Sequence, residues 1–313
     1  MKKFQENEFI EFASKVGSLT HFACQRMGID PELFVNWRWQ MKHQLQTQQD
    51  FAPLKKLSAH QELCFDQVSK LFRIGVTPYY AALAELSTNS GVAIQALPVK
   101  QELDDPLGAK DPLDEKLHSP VPEVVHLYPD RVAFCVAMLC PVYCRYCYRK
   151  RRDEEPGLHF NRKILDKGIA YIASNPAIKD VLITGGDPFI ASDESLEQLL
   201  QKLTAIPHVE IIRFGTRTPV TLPYRVTKKL CSILSKYHPI WVNTHFNHAD
   251  ELSPEACLAL RHLVDAGIPV GNQSVLLAGV NDSYEQMRDL CLSLVRQRVR
   301  PYYVFHAHLV EGS

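Results

Sequence analysis

The sequence has no apolar run of the roughly 18 residues that a bilayer span requires, so no membrane helix is read in it. It has no excess of either charge: 35 Lys+Arg balance 35 Asp+Glu. A bulk-electrostatic nucleic-acid binder needs a basic surplus, and that class is excluded. The opening MKKFQENEFIEF has two lysines but no apolar core behind them. No export signal is read there, and a cytoplasmic protein is expected. Internal repeats and low-complexity segments are also missing. What remains is 313 residues, 46% hydrophobic and 22% charged, the balance of a globular chain of one large domain or two ordinary ones.

Cysteine is plentiful, with nine residues. An odd count without an export signal reads as free thiols in a reducing compartment. Cys24, Cys64, Cys135, Cys231, Cys257 and Cys291 are scattered singly, as small buried apolar residues are. Cys140, Cys144 and Cys147 fall together in CPVYCRYC.

The chain divides near residue 122. In Glu8–Ala23, Phe9, Ile10, Phe12, Val16, Leu19 and Phe22 form a stripe at helical spacing. Residues 58–72 form another, with Ser58 as the expected N-cap. Residues 98–122, rich in Pro, Asp and Lys, read as an extended connector. Residues 1–122 are thus expected to be a helical N-terminal region with its connector, and 123–313 the core domain.

Beyond residue 131 short apolar strands alternate with amphipathic helices. Strands are expected at 132–139, 180–183, 209–214, 239–243, 269–276 and 301–305. Helices are expected at 162–174, 194–204, 224–236, 254–266 and 284–296. Six strands joined by five helices imply an α/β fold with a parallel sheet. An open doubly wound sheet and a partial (β/α)6 barrel both fit this rhythm. The barrel is favoured because polar residues follow the strands. The cysteines follow the first, Gly185-Gly186-Asp187 the second, Arg217 the third and His245 the fourth. Gln273 lies in the fifth, and His306 and His308 follow the sixth. A barrel gathers its chemistry at that mouth.

Three thiolates spaced C-x3-C-x2-C can hold one [4Fe–4S] cubane, leaving one iron open for a ligand. A zinc site would need a fourth Cys or His, for which only the distant His159 offers itself. Core packing does not explain three cysteines among Pro141, Tyr143 and Arg145. The cluster is the preferred reading.

CPVYCRYC after the first strand of a βα repeat resembles the radical S-adenosylmethionine (SAM) enzymes, and within them the lysine 2,3-aminomutase family. NWRWQ (36–40), VTPYY (76–80), SPVPEVVHLYPDRV (119–132), CRYCYRKRR (144–152), LITGGDP (182–188), IPHVEIIRFGTRTPV (206–220), YHPIWVNTHFNH (237–248), GIPVGNQSVLLAGVNDS (267–283) and VRPYYVF (299–305) carry the resemblance along most of the chain. It implies a radical SAM barrel. It also implies reductive SAM cleavage to a 5′-deoxyadenosyl radical, and 2,3-amino migration on an amino acid held by pyridoxal phosphate. By the same resemblance Cys140, Cys144 and Cys147 ligate the cluster, and Tyr146 packs on the adenine. Gly185, Gly186, Asp187, His245 and Gln273 surround SAM, with Asp187 meeting the methionyl amino group. Arg131 lies near the pyridoxal phosphate, and Arg149 holds the substrate carboxylate. A reductant such as flavodoxin or ferredoxin, and a homo-oligomer, are implied as partners. Arg151 and Arg152 read as a solvated loop.

Two features depart from the family pattern. His308 stands where lysine-specific members carry an Asp for the distal ammonium. Imidazole is a poor partner for an ammonium, so an acidic or neutral amino acid gains ground. The family's last barrel helix and the C-terminal segment with the pyridoxal phosphate lysine have no match within these residues. The sequence therefore reads as truncated, or as covered by a partner, with the apolar face and edge of its last strand open. Two other readings stay open: a radical SAM enzyme without pyridoxal phosphate, and an inactive remnant or interaction protein. The latter would have been favoured by the loss of a cluster cysteine, and all three are present.

Overall fold

The computed structural model describes residues 7–54, 57, 59–87, 91–150 and 162–313. Ser58, Arg151, Arg152 and His159 lie outside these residues.

The fold is built on one seven-stranded sheet of order β1-β2-β3-β4-β5-β6-β7. Its strands are β1 (Val124–Tyr128), β2 (Arg131–Ala137), β3 (Asp180–Gly185), β4 (Ile211–Gly215), β5 (Ile240–Thr244), β6 (Val270–Leu276) and β7 (Arg300–His306). From β2 to β7 every pairing is parallel. The helices Arg162–Ala173, Asp193–Thr204, Lys228–Leu234, Pro254–Asp265 and Tyr284–Arg296 make the crossovers. The first and last strands do not pair, so the sheet is an open, partial (β/α)6 barrel with one antiparallel strand added.

The register explains the apolar spacing of the strands. Phe134, Ile183, Phe214, Val242 and Val270 stand side by side across β2 to β6. One row lower, Val132, Val181, Ile212 and Ile240 do the same. All are buried, and they join Leu196, Leu200, Leu230, Leu260 and Leu290 of the helices in one apolar cluster. Each fully buried side chain of this kind contributes about 1.5–3 kcal/mol. A one-residue slip would turn a whole row away from the helices.

Several features differ from the expectation, among them the helix expected at 224–236, which is α-helical only over Lys228–Leu234 between two 3-10 turns. β1 was not expected: VVHLY is short, contains a histidine and sits beside proline-rich sequence, so it has no clear alternation. It pairs antiparallel with β2 through the turn at Pro129-Asp130. The stripe over 8–23 is two helices, Asn7–Ser14 and Leu19–Met27. Gly17, at φ +84°, breaks it, and Ser18 caps the second helix by accepting from His21 N. Val16 in the break is exposed, so it leaves the stripe. The helix expected over 58–72 spans Ala59–Val68.

The N-terminal helices share the barrel's apolar cluster. Phe9, Phe34 and Tyr79 set their ring edges on Tyr224, with centroids 5.3, 6.1 and 5.4 Å away. The segment 98–122 holds one 3-10 turn, Lys100–Leu103, and buries Glu102 and Glu115. It also meets the residues after β7: Ala109 N donates to Leu309 O, and Glu311 N to Ala109 O. On β7, Tyr302, Tyr303 and Val304 are half exposed, as expected for an open last strand.

Candidate active site

The strands fix where the polar residues gather. Parallel strands end together, so the loops after β2 to β7 meet at one mouth. The cysteine loop follows β2 and is held from three sides by the N-terminal region. Tyr143 N donates to Gly75 O at 3.0 Å, and Thr77 N to Pro141 O at 3.1 Å. Gln44 Nε2 donates to Cys140 O at 2.7 Å and Pro141 O at 2.8 Å. Arg145 N donates to Gln95 O at 2.9 Å. The Arg145 guanidinium is buried on Glu102, which also accepts from Lys150 Nζ at 2.7 Å. Burial pushes Lys150 down to about 8, with the Arg145 charge adding to the effect.

The three cysteines form no disulfide and are of intermediate exposure. Cys147 N donates to Cys144 O at 3.1 Å, which curls the loop between the last two. Cys144 Sγ accepts from Arg217 Nη1 at 2.8 Å. The Arg217 guanidinium thus lies directly against one of the three sulfurs. Among the described residues no three His, Cys, Asp or Glu side chains could hold a single metal ion. A cubane makes a different demand, because each cysteine takes a separate iron. Three thiol donors on one loop are the donor set such a cluster takes, one cysteine to each of three irons.

Gly185 and Gly186 end β3 against the entry to the cysteine loop. Gly185 has φ +115°, and Gly186 N donates to Ala137 O. A Cβ on Gly186 would lie 2.5 Å from Leu139 O. These glycines admit the cysteine-loop backbone.

Asp187 is buried and fully engaged. Oδ1 accepts from Thr216 Oγ1 at 2.6 Å and Phe189 N at 3.1 Å; Oδ2 accepts from Arg217 N at 2.8 Å. Burial raises its carboxyl, against the pull of these donors. Its place is beneath the loop after β4, where it fixes the backbone that carries Arg217.

Arg217 is the hub of the mouth. Besides Cys144, it donates through Nε to His245 O at 3.1 Å. Through Nη2 it donates to Glu251 Oε1 at 2.6 Å, Gln95 Oε1 at 2.5 Å and Tyr80 OH at 3.2 Å. Burial opposes its charge, but Cys144, Tyr146, Tyr80 and Glu251 outweigh burial and hold the guanidinium firmly protonated. Tyr146 OH accepts from Asn247 Nδ2 at 2.8 Å, and its ring lies 5.5 Å from the Arg217 guanidinium. His245 is pushed down to about 4 by burial and by the Arg217 charge, so its imidazole is neutral at neutral pH. It also meets the Gln273 backbone.

At the β7 side, Arg149 forms a buried bidentate pair with Glu115 and donates to Thr184 Oγ1 at 3.3 Å. Tyr148 stacks beside it, its ring 5.5 Å from His308. Burial pushes the Tyr148 phenol up to about 12.

The structure thus brings together Cys140, Cys144, Cys147, Tyr146, Arg149, Gly185, Gly186, Asp187, His245, Gln273 and His308. Arg131 is not among them. It opens β2 at the far end, paired with Asp130 at 3.0 Å and half exposed. The six residues from there to Ala137 span about 20 Å of strand. Glu251, Gln95, Asn247, Glu102 and Glu115 are site residues that the sequence reading missed. Asn247 lies in the 237–248 string but had no role assigned there; the other four sit in no motif, and the two on the connector lie in sequence without periodicity.

A barrel mouth of this construction, with three cysteines after its first parallel strand, defines a radical SAM protein, and the Radical SAM superfamily model matches residues 136–291. The chain is 44% identical over 288 residues to an L-lysine 2,3-aminomutase of Fusobacterium nucleatum, covering 91% of this chain and 67% of that one. It is 44% identical over 279 residues to the L-lysine 2,3-aminomutase of Clostridium subterminale, covering 88% and 67%. A glutamate 2,3-aminomutase of Clostridioides difficile is 37% identical over 279 residues, covering 89% and 66%. The chain belongs to the lysine 2,3-aminomutase family of radical SAM enzymes, and spans about two thirds of the length of these relatives. Among the described residues no helix is long and apolar enough to cross a membrane.

Proposed function

We propose that this protein is a radical SAM aminomutase acting on a small α-amino acid, and that Cys140, Cys144 and Cys147 hold a [4Fe–4S] cluster with one iron open to SAM. The observation that carries the reading is the cysteine loop, clamped at the barrel mouth with Arg217 against Cys144 Sγ. When bound, the cluster and SAM supply hydrogen-atom abstraction after one-electron reduction by a flavodoxin- or ferredoxin-type donor.

The chain's own residues bind, orient and exclude water. Tyr146 offers a ring for the adenine, held at its hydroxyl by Asn247. His245, kept neutral, and the Gln273 backbone beside it offer polar groups without adding charge near the sulfonium. Asp187 sets the loop that presents Arg217. Arg149 is the anchor for the substrate carboxylate, since a guanidinium fork suits that group. His308, on the Tyr148 ring, faces the same end of the mouth. An imidazole there favours an acidic or neutral side chain over a distal ammonium.

Pyridoxal phosphate is the family's partner for the amine. Arg131 stands at the far end of β2, and Lys150 is engaged by Glu102 and the Gly312 carbonyl. Both side chains are thus committed to carboxylate or carbonyl partners. Their placement favours, as the second reading, SAM-dependent chemistry without that group.

Anaerobic incubation of reduced, reconstituted protein with SAM and a panel of L-amino acids, with and without pyridoxal phosphate, tests the proposal. Formation of 5′-deoxyadenosine and methionine with a β-amino acid product supports it. SAM cleavage without any β-amino acid supports the second reading, and no SAM cleavage overturns both.

A further inference from the structure

The ion pair on the β7 side of the mouth has a geometry that assigns a role to a residue outside every motif. Arg149 Nε donates to Glu115 Oε1 at 3.1 Å and Oε2 at 3.3 Å, and Nη2 donates to Oε1 at 2.8 Å. Nη1 donates to Thr184 Oγ1 at 3.3 Å. The side chains of Arg149 and Glu115 are 11% and 5% exposed. The Arg149 guanidinium also lies 4.9 Å from the Tyr148 ring.

A guanidinium carries five N–H groups. Glu115 takes the edge made by Nε and Nη2, and Thr184 takes one hydrogen of Nη1. One hydrogen on Nη1 and one on Nη2 remain among the described contacts. Two parallel N–H groups on one edge are the fork that grips a carboxylate. Glu115 is itself fixed: its N donates to Asp111 Oδ1 at 3.0 Å, and its carbonyl accepts from Ser119 Oγ at 2.6 Å.

We propose that Glu115 is the positioning residue of the amino acid site, holding one edge of Arg149 so that the outer edge is aimed at the substrate α-carboxylate. The proposal rests on Arg149 being the carboxylate anchor. A long arginine side chain loses much rotamer freedom when it binds alone. Glu115 and the Tyr148 ring impose that order before the ligand arrives, so binding does not have to supply it. Glu115 also neutralises the buried guanidinium when no substrate is present. Its own charge repels an incoming carboxylate, so orientation and repulsion act in opposite directions. The inference is that orientation wins, because Nη1 and Nη2 each keep a hydrogen for the ligand while Glu115 is in place.

The test is equilibrium binding to the full-length, cluster-reconstituted protein with SAM and pyridoxal phosphate present. The probes are L-lysine against L-lysinamide, and L-glutamate against its α-amide, L-isoglutamine. Each pair differs only in the α-carboxylate. For the pair that binds, Glu115→Gln should weaken the acid roughly tenfold, about 1.4 kcal/mol, and the amide less than about twofold. Glu115→Asp keeps the charge and should restore part of the preference. Iron content and melting temperature of each variant separate a lost edge from a lost fold. Equal weakening of acid and amide would mean a merely structural role and would overturn the proposal. Tighter acid binding in Glu115→Gln would also overturn it, by making Glu115 a competitor for the fork. Arg149→Lys separates the underlying reading. If it leaves the acid preference intact, or if neither acid is preferred in the parent, Arg149 is not the anchor and both readings fall. If Arg149→Lys abolishes the preference and Glu115→Gln does not change it, the role of Glu115 alone is refuted.

Discussion

Glu251→Gln changes no volume and removes one charge from the hub of the mouth. Glu251 is fully buried and accepts at both oxygens. Oε1 takes Arg217 Nη2 at 2.6 Å and Tyr80 OH at 2.7 Å; Oε2 takes Asn247 N at 2.6 Å and His248 N at 3.0 Å. An amide has one acceptor oxygen and one donor NH2. Turned one way, the NH2 meets two backbone N–H groups; turned the other, it meets the guanidinium and a phenol that must then reverse its hydrogen bond. Either way a buried donor loses its partner and Arg217 loses its carboxylate. Breaking a buried ion pair from one side costs about 3–5 kcal/mol. That is a large part of a typical total of about 5–15 kcal/mol. Glu255→Gln is the matched control. Glu255 is equally buried, but only Oε1 is bonded, by Thr20 Oγ1 at 2.6 Å, and Oε2 has no partner. Its amide should change stability by less than about 1 kcal/mol, because one donor replaces an unused acceptor. Urea unfolding of the metal-free chain, followed by far-ultraviolet circular dichroism, measures both. Similar losses in the two variants, or a loss under about 1 kcal/mol in Glu251→Gln, would refute this reading of the hub.

Gly186→Ala should lower the melting temperature and the capacity for iron together. Its Cβ would meet Leu139 O at 2.5 Å and Leu139 N at 2.9 Å, backbone atoms that cannot rotate away, at the entry to the cysteine loop. Thermal melts and iron analysis check it, and normal values of both would contradict the tight seam. Acid should destabilise the fold through His245. Its folded value of about 4 lies below the unfolded value near 6.5, so the unfolded chain binds more protons between them. Stability is therefore lost as pH falls through that window, by at most about 3 kcal/mol. His245→Gln should flatten the dependence of urea midpoint on pH there, and an unchanged slope would contradict the neutral, buried imidazole.

The sheet was legible because its signal is local. Each parallel strand is a short apolar run, and each crossover helix has its own periodicity, so six strands and five helices were readable from residue 131 onward. β1 was not, because five residues with a histidine carry no period. The cysteine loop and the polar strand ends were legible as motifs. What holds them was not: Glu251 caps a short turn, and Glu102 and Glu115 sit in a stretch whose composition reads only as loop. Their partners Arg217, Arg145 and Arg149 lie 34, 43 and 34 residues away in sequence. Such a pairing appears only once the strands have brought the loops together. Asp187 shows the complementary case. Its motif was visible, but its commitment to Thr216 and Arg217 depends on the loop after the next strand.

The central claim is that Cys140, Cys144 and Cys147 carry one cluster with an open iron. The most direct measurement is iron and zinc analysis of the anaerobically reconstituted protein, joined to electron paramagnetic resonance of its reduced form with and without SAM. About four irons per chain are expected, with loss of the cluster in each single Cys→Ala variant at these three positions but not in Cys231→Ala, and a reduced-cluster signal that changes when SAM is added. Stoichiometric zinc without iron, or a full cluster retained in Cys144→Ala, would contradict it.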